Sequence, residues 1–299
     1  MLPTLRQLQY LKLLVEHGSF SRAAEAAHVT QPTLSAGVQE LERILGAPVV
    51  DRGRQGVILT AVGEEAVRRA IDVLARTEDL VQAARSAGRP LSGRFRLGVI
   101  PTVAPFLLPR ALPVLRVRYP DLKLFLREDI TGRLVAGLKA GTLDAALVAL
   151  PYDTAGLDTA KVVDDELLAA APADHPLAQG GEVSVHALQA QNLILLEDGH
   201  CLREHVLAAC RLDEPRPPGG AEDAFAATSL HTLVQMVGSG LGVTLLPAMA
   251  VEGGVAGAAP VAIRRLQAKA PSREIVVAWR AGSSRAREGV LLAELLRDL

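Results

Sequence analysis

The sequence predicts an α/β protein in three parts: residues 1–60 as a small helical unit closed by a β-hairpin, 61–93 as a long amphipathic helix with a hinge, and 94–299 as a larger α/β unit. Three observations carry that reading. Apolar residues recur every three or four positions through the first sixty residues. A heptad-like pattern then runs to about Arg85. Beyond Arg94, apolar runs of five to seven residues alternate with helical patterns, the mark of α/β units with mostly parallel sheets. A chain of 299 residues has material for two or more hydrophobic cores.

The elements follow in order. Leu5, Leu8, Leu11, Leu14 and Val15 form the stripe of a first helix that Gly18 stops, and Ser21 is placed to cap a second through Ala23 to Ala27. A third helix begins near Gln31, tolerates Pro32 in its first turn, and buries Leu34, Val38, Leu41 and Leu45 before Gly46 ends it. The stretch APVVDRGRQGVILT sets two apolar runs around an Arg- and Gly-rich tip, as a hairpin or wing requires. From Thr60 the long helix carries Val67, Ile71, Leu74 and Val81 at coiled-coil spacing. The small N-terminal unit offers little to cover that stripe, so a second copy of the chain is the expected partner. Gly88, Pro90, Ser92 and Gly93 read as a hinge. The runs FRLGVI, LKLFLR, DAALVAL, ELLAAAP, NLILL, GVTLLP and EIVVAW are the expected strands, and 206 residues of this texture suit two lobes around a cleft.

Composition removes several classes. With 32 basic and 33 acidic residues, the whole chain lacks the positive excess of many nucleic-acid binders. Two cysteines exclude a disulfide-rich scaffold and point to a reducing compartment. The apolar residues of the first twenty positions sit at helical spacing, without a signal-peptide pattern, and no run is long enough to span a membrane. The expectation is a cytoplasmic protein without a cofactor. His17, His28, His175, His186 and His231 show no metal-ligand spacing.

Helix, tight turn, helix, with short polar residues opening the second, is what a helix-turn-helix needs. Gln31, Thr33, Ser35 and Gln39 lie away from the leucine stripe. There Gln can bridge adenine edges and Thr or Ser can reach bases or phosphates, although a merely solvated face has the same pattern. Through Thr60 there are six basic and five acidic residues, with Arg52 and Arg54 on the wing tip where phosphate contacts fall. The whole stretch LRQLQYLKLLVEHGSFSRAAEAAHVTQPTLSAGVQELERILGAPVVDR resembles the winged helix-turn-helix of LysR-type transcriptional regulators, with Ser21, Pro32 and the Gln31-to-Ser35 helix start in place. The resemblance implies a winged helix-turn-helix, a long linker helix, and a two-lobed, periplasmic-binding-protein-like regulatory domain. Lobe I would comprise about 94–168 and 273–299, and lobe II about 169–272. It also implies double-stranded promoter DNA and RNA polymerase as partners, a homodimer assembling to a homotetramer, and no enzymatic activity.

A second constellation lies in LEDGHCLREHVLAAC, which ends a strand and begins a helix. Asp198 is placed to cap that helix. Cys201 would then lie in the first turn, where unpaired N–H groups and the helix dipole favour a thiolate, with donors on His200, Arg203 and His205 and an opposing charge on Glu197. An inert buried cysteine or a partial metal site fits the same residues. If the segment from Cys201 to Cys210 is helical, the cysteines stand about 13 Å apart along the axis, too far for a disulfide without remodelling. The segment is similar to that of the peroxide-sensing LysR-type branch. So are Gly98 to Pro109, Ala227 to Leu230, and Gly242 to Pro247. That similarity implies Cys201 as the peroxide-reacting thiol and Cys210 as the resolving one, with Thr102, Thr131, His200 and Arg273 forming the peroxide pocket. Two rival readings are a regulator that senses a small organic metabolite between the lobes and a thiol peroxidase. The Pro- and Gly-rich stretch RLDEPRPPGGAEDAF after Cys210 could permit remodelling or stiffen it.

Overall fold

The computed structural model describes residues 2–51, 57–85, 89–212, 226–257, 259–267 and 271–299. Arg52 and Arg54 on the wing tip, Gly88 of the hinge and most of the Pro- and Gly-rich stretch lie outside them. The chain divides into two compact units, residues 1–87 with 139–141, and residues 88–138 with 142–299.

In the first unit α1 (Leu5–His17) opens on a capping box between Thr4 and Gln7 and closes on Gly18 in the left-handed conformation. Helix α2 (Phe20–Ala26) starts two residues earlier than expected: Ser19, not Ser21, is its N-cap, and Ser21 lies exposed in the first turn. Helix α3 (Gln31–Leu45) has Pro32 in its first turn and left-handed Gly46 at its end. Leu34, Val38 and Leu41 are buried on it, while Leu45 is exposed in its last turn. Strands β1 (Val50–Asp51) and β2 (Ile58–Leu59) pair antiparallel as the hairpin base.

Helix α4 (Ala61–Arg85) is fixed at its start by Thr60, whose hydroxyl donates to the Pro48 carbonyl and accepts from the Gly63 N–H. A side chain at Gly63 would collide with the Val49 carbonyl, so only glycine lets the helix approach the wing this closely. That approach corrects the expected seam. Val67 is buried in the core of this unit with Tyr10, Leu11, Leu14 and Leu34, and Ile71 packs against the same cluster. Leu74 is half-buried. Of the expected seam Val81 alone is exposed, and it is joined among the described residues by the large apolar side chains of Val62, Val73 and Leu80.

The second unit runs β3 (Gly93–Val99), α5 (Ala104–Arg118), β4 (Leu122–Glu128), α6 (Thr131–Lys139), β5 (Ala145–Leu150) and the sixteen-residue β6 (Leu157–Pro172). It continues through α7 (Val185–Gln189), β7 (Leu195–Leu196), α8 (Cys201–Cys210), β8 (Ala226–Ala227), α9 (Leu230–Gly238), β9 (Thr244–Pro247) and α10 (Ala248–Glu252). It ends with β10 (Val261–Arg264), β11 (Ser272–Arg280) and α11 (Ala286–Arg297). The seven-stranded sheet has the order β10-β6-β11-β5-β3-β4, with β9 also on β6.

Among the described residues of this sheet only β3–β4 and β3–β5 are parallel, and the pairings of β6 and β11 are antiparallel. The expectation of mostly parallel sheets is corrected for a topological reason. Strand β6 carries the chain out of one lobe and β11 carries it back, so they run in opposite directions and pair with each other along Leu157–Glu166. Two cores result. One gathers Phe95, Leu97, Leu147, Val277 and Leu296; the other gathers Leu167, Leu188, Val206, Val234 and Leu245. The unit is two-lobed, and the boundary crosses β6 between Val162 and Leu167.

Candidate functional site

Helix α8 joins the two lobes. Its first residue, Cys201, is buried in the lobe I core, whereas Leu202, Val206, Leu207 and Cys210 belong to the lobe II core. Both thiols are free. The helix is continuous between them, which keeps the sulfurs at opposite ends. Its N-cap is His200, which makes no side-chain cap, and not Asp198, whose side chain is 92% exposed and paired with Arg203 at 2.9 Å. The first-turn N–H groups beside Cys201 thus receive no cap from Asp198 or His200. Upstream, Gly199 adopts φ +92°, and a Cβ there would meet Ile130 at 3.0 Å, so the entry to α8 abuts the entry to α6.

Arg273 is fully buried on β11. Its Nη1 donates to the Thr102 hydroxyl at 2.7 Å and its Nη2 to the Thr102 carbonyl at 3.1 Å. The other side of the guanidinium meets Asp165, with Nε and Nη2 at 3.1 and 2.9 Å from Oδ2. Oδ1 of Asp165 accepts from the Met249 N–H at the start of α10. Thr131, the first residue of α6, is buried, and its hydroxyl has no hydrogen-bond partner among the described residues. A buried hydroxyl left so costs free energy unless something occupies the site.

Thr102 and His200 share the wall of a cavity of about 270 Å³ between the lobes, with Phe106, Glu128, Leu196, Ser229 and His231 also lining it. Cys201 and Thr131 are not in that wall. His231 stacks on Phe106 with ring centroids 6.1 Å apart. Among the described residues, no group of three or more His, Cys, Asp or Glu could hold a metal ion.

The electrostatics separate the helix ends. Burial among aliphatic side chains pushes the Cys210 thiol from 9.0 up to about 11. His205 does not add the positive character expected of it. Burial draws its imidazole below the ordinary value, the Pro151 carbonyl opposes this by accepting from Nε2 at 3.2 Å, and the Arg273 charge lowers it further. Arg203 is likewise engaged with Asp198.

Asp165 is absent from the sequence-derived site. It sits in the acidic triplet Asp164-Asp165-Glu166, which reads as solvated charge. Its phase is the available signal: Asp165, Leu167, Ala169 and Ala171 alternate as the inward face of β6.

In the first unit, Gln31, Thr33 and Gln39 are exposed on α3 and Ser35 is half-buried; Thr33 shares a hydroxyl hydrogen bond with Thr30 at 2.8 Å. Glu42 on the same helix accepts from the Val49 N–H at 2.9 Å, which ties the wing to the helix end. Residues 5–64 match the bacterial regulatory helix-turn-helix protein, lysR family, and residues 88–299 match the LysR substrate binding domain. The chain belongs to the LysR family of transcriptional regulators.

This LysR-type regulator is 43% identical over 251 residues to the HTH-type transcriptional regulator EstR of Acinetobacter baylyi, covering 84% of this chain and 82% of that one. It is 40% identical over 296 residues to a probable hydrogen peroxide-inducible genes activator of Streptomyces viridosporus, covering 99% and 94%. Among solved structures, a full-length OxyR of Pseudomonas aeruginosa carrying a cysteine-to-aspartate substitution superposes with TM-score 0.76 at 35% identity, covering 99% of this chain and 98% of that one. The LysR-type regulator has no helix among its described residues long and apolar enough to cross a membrane.

Proposed function

We propose that this LysR-type regulator senses hydrogen peroxide through Cys201 and reports the oxidation to promoter DNA. The observation that carries the reading is that the two cysteines of one helix are anchored in two different cores. In the reduced protein α8 pins lobe I to lobe II. The Cys201 thiolate attacks one peroxide oxygen; the S–O bond forms, the O–O bond breaks, and the departing hydroxide takes a proton to become water, leaving a sulfenic acid. Thr102 and Thr131 supply hydroxyls that donate to and accept from the peroxide, and His200 with Arg273 polarises them. Attack by Cys210 on the sulfenic sulfur then forms the S–S bond and releases water. Because Cα atoms must come within about 4.4–6.8 Å, α8 unwinds and at least one cysteine leaves its core. That is a two-state element whose balance oxidation shifts.

The output is DNA binding. Helix α3 presents Gln31, Thr33, Ser35 and Gln39 to a major groove, and Arg52 and Arg54 reach phosphates. A row on α4 runs Val62, Ala66, Arg69, Val73, Arg76, Leu80, at alternating steps of four and three, exposed except at the half-buried Ala66. Beside it lies an apolar groove of about 710 Å³ lined by Leu2, Pro3, Leu8, Leu45, Val62 and Val73. This supports a second copy of the helix on that face, and so a homodimer. On the family resemblance, dimers pair to a tetramer and meet RNA polymerase at the promoter in the cytoplasm.

The test is mass spectrometry and promoter footprinting of the full chain after about one equivalent of peroxide. Wild type is expected to form the Cys201–Cys210 disulfide and change its footprint; Cys201→Ser keeps the reduced footprint; Cys210→Ser stops at the sulfenic acid. Consumption of many equivalents with a reductant would instead indicate a peroxidase. The cavity between the lobes supports a second reading, an organic effector, which predicts a footprint that Cys201→Ser leaves responsive to metabolite and indifferent to peroxide.

A further inference from the structure

We propose that Asp165 is a positioning residue of the peroxide pocket, acting through Arg273 on Thr102. The inference rests on the reading of that pocket given above. Asp165 and Arg273 face each other as direct cross-strand partners of β6 and β11, and both side chains are almost wholly removed from solvent. A buried guanidinium has five N–H groups to satisfy, and its orientation follows its strongest partner. Oδ2 takes Nε and one N–H of Nη2, which turns Nη1 and the rest of Nη2 onto Thr102. Oδ1 is itself fixed by the Met249 N–H, so the carboxylate cannot swing.

The consequence falls on the Thr102 hydroxyl. Its oxygen accepts from Arg273, and among the described residues nothing accepts its proton. Arg273 therefore leaves Thr102 as a donor aimed away from the guanidinium, with the polarity needed to stabilise the oxygen that leaves when the O–O bond breaks. Among the described residues Asp165 hydrogen-bonds Arg273 and the Met249 N–H and neither Thr102 nor the reacting sulfur; its effect is to select one guanidinium orientation. Its charge also balances Arg273, without which a buried cation would stand unpaired.

The experiment measures two rates on the reduced full chain: sulfenic acid formation at Cys201 with hydrogen peroxide, and alkylation of Cys201 by iodoacetamide, which needs the thiolate but no aligned O–O bond. Thr102→Val and Asp165→Asn are each expected to slow the peroxide rate by about ten- to hundredfold without a matching loss in the alkylation rate. The double variant should be no slower than the slower single one, because the two act along one path. Equal losses in both rates, or multiplied losses in the double variant, overturn the proposal. If Thr102→Val alone leaves the peroxide rate unchanged, the pocket reading itself falls and the proposal with it. If Thr102→Val is slow and Asp165→Asn is not, the pocket stands and the proposal fails. Should Asp165→Asn not fold, as judged by fluorescence of the buried Trp279, Asp165→Glu keeps the charge and displaces it. It is expected to lower the ratio of the two rates at least about threefold, and an unchanged ratio overturns the proposal.

Discussion

Cys201 and Cys210 stand at the two ends of one ten-residue helix, and both are buried. Their surroundings differ in kind. The Cys201 end meets the lobe boundary, where His200 at the start of α8 shares a cavity wall with Thr102 of the Thr102–Arg273–Asp165 network, and the unpartnered Thr131 hydroxyl belongs to the neighbouring helix entry. The Cys210 end sits among Leu188, Val206, Leu207 and their neighbours in the lobe II core, and its thiol is pushed up to about 11. Burial alone therefore says little about a cysteine. What decides its chemistry is whether the groups buried with it can stabilise a developing charge.

Measured reactivity is the strongest way to break this contrast. With its thiol raised from 9.0 to about 11, Cys210 holds about a hundredfold less thiolate at neutral pH than an ordinary cysteine. Iodoacetamide at pH 7.5 is expected to label Cys210 about a hundredfold more slowly in the native chain than in 6 M guanidinium, with Cys201 labelled first. Comparable labelling of both thiols in the native chain would dissolve the distinction between the two ends.

A smaller effect sharpens the contrast at the Cys210 end alone. Gln189 on α7 donates through Nε2 to the Cys210 carbonyl at 2.7 Å, holding the last turn of α8 in place. Removing it in Gln189→Ala costs about 1 kcal/mol of restraint. Stopped-flow oxidation should then show disulfide closure accelerated by about fivefold, with the sulfenic acid step unchanged. A change in the first step instead would mean that the two ends are mechanically coupled before oxidation.

The smallest expected effect concerns His205, midway along α8. Burial lowers the affinity of its imidazole for a proton below the ordinary 6.5 in the folded state. The unfolded chain takes up that proton as pH falls through about 6.5 while the folded chain resists, so stability is lost in the acid direction and is retained at higher pH. His205→Gln, which does not titrate, should lose less melting temperature than wild type between pH 7.5 and 5.5. Parallel losses would show that His205 contributes no pH dependence at this junction.

Much of this was legible along the chain. Gly18 and Gly46 as helix ends, Pro32 in a first turn and the Leu34-Val38-Leu41 stripe are local effects of backbone conformation and helical period, and they appear where the residues place them. The placing of both cysteines on one helix was also local. By contrast, Val67 turned inward because Gly63 lets α4 close on Val49, a contact between segments that periodicity does not register. The first half of β6, Leu157 to Asp165, interrupts its apolar residues with charged ones, so no apolar run marks it as a strand.

The sequence by itself determined the helix-turn-helix, the alternation of strands and helices, and the residue types available for redox chemistry, since each depends on neighbours a few positions apart. Only the tertiary structure decided that Asp165 faces Arg273 across 108 positions of chain, that Arg273 turns two donors on Thr102, and that one end of α8 lies in each core. Those pairings follow from strand register and lobe packing, in which a one-residue slip would send Asp165 to the opposite face of its strand.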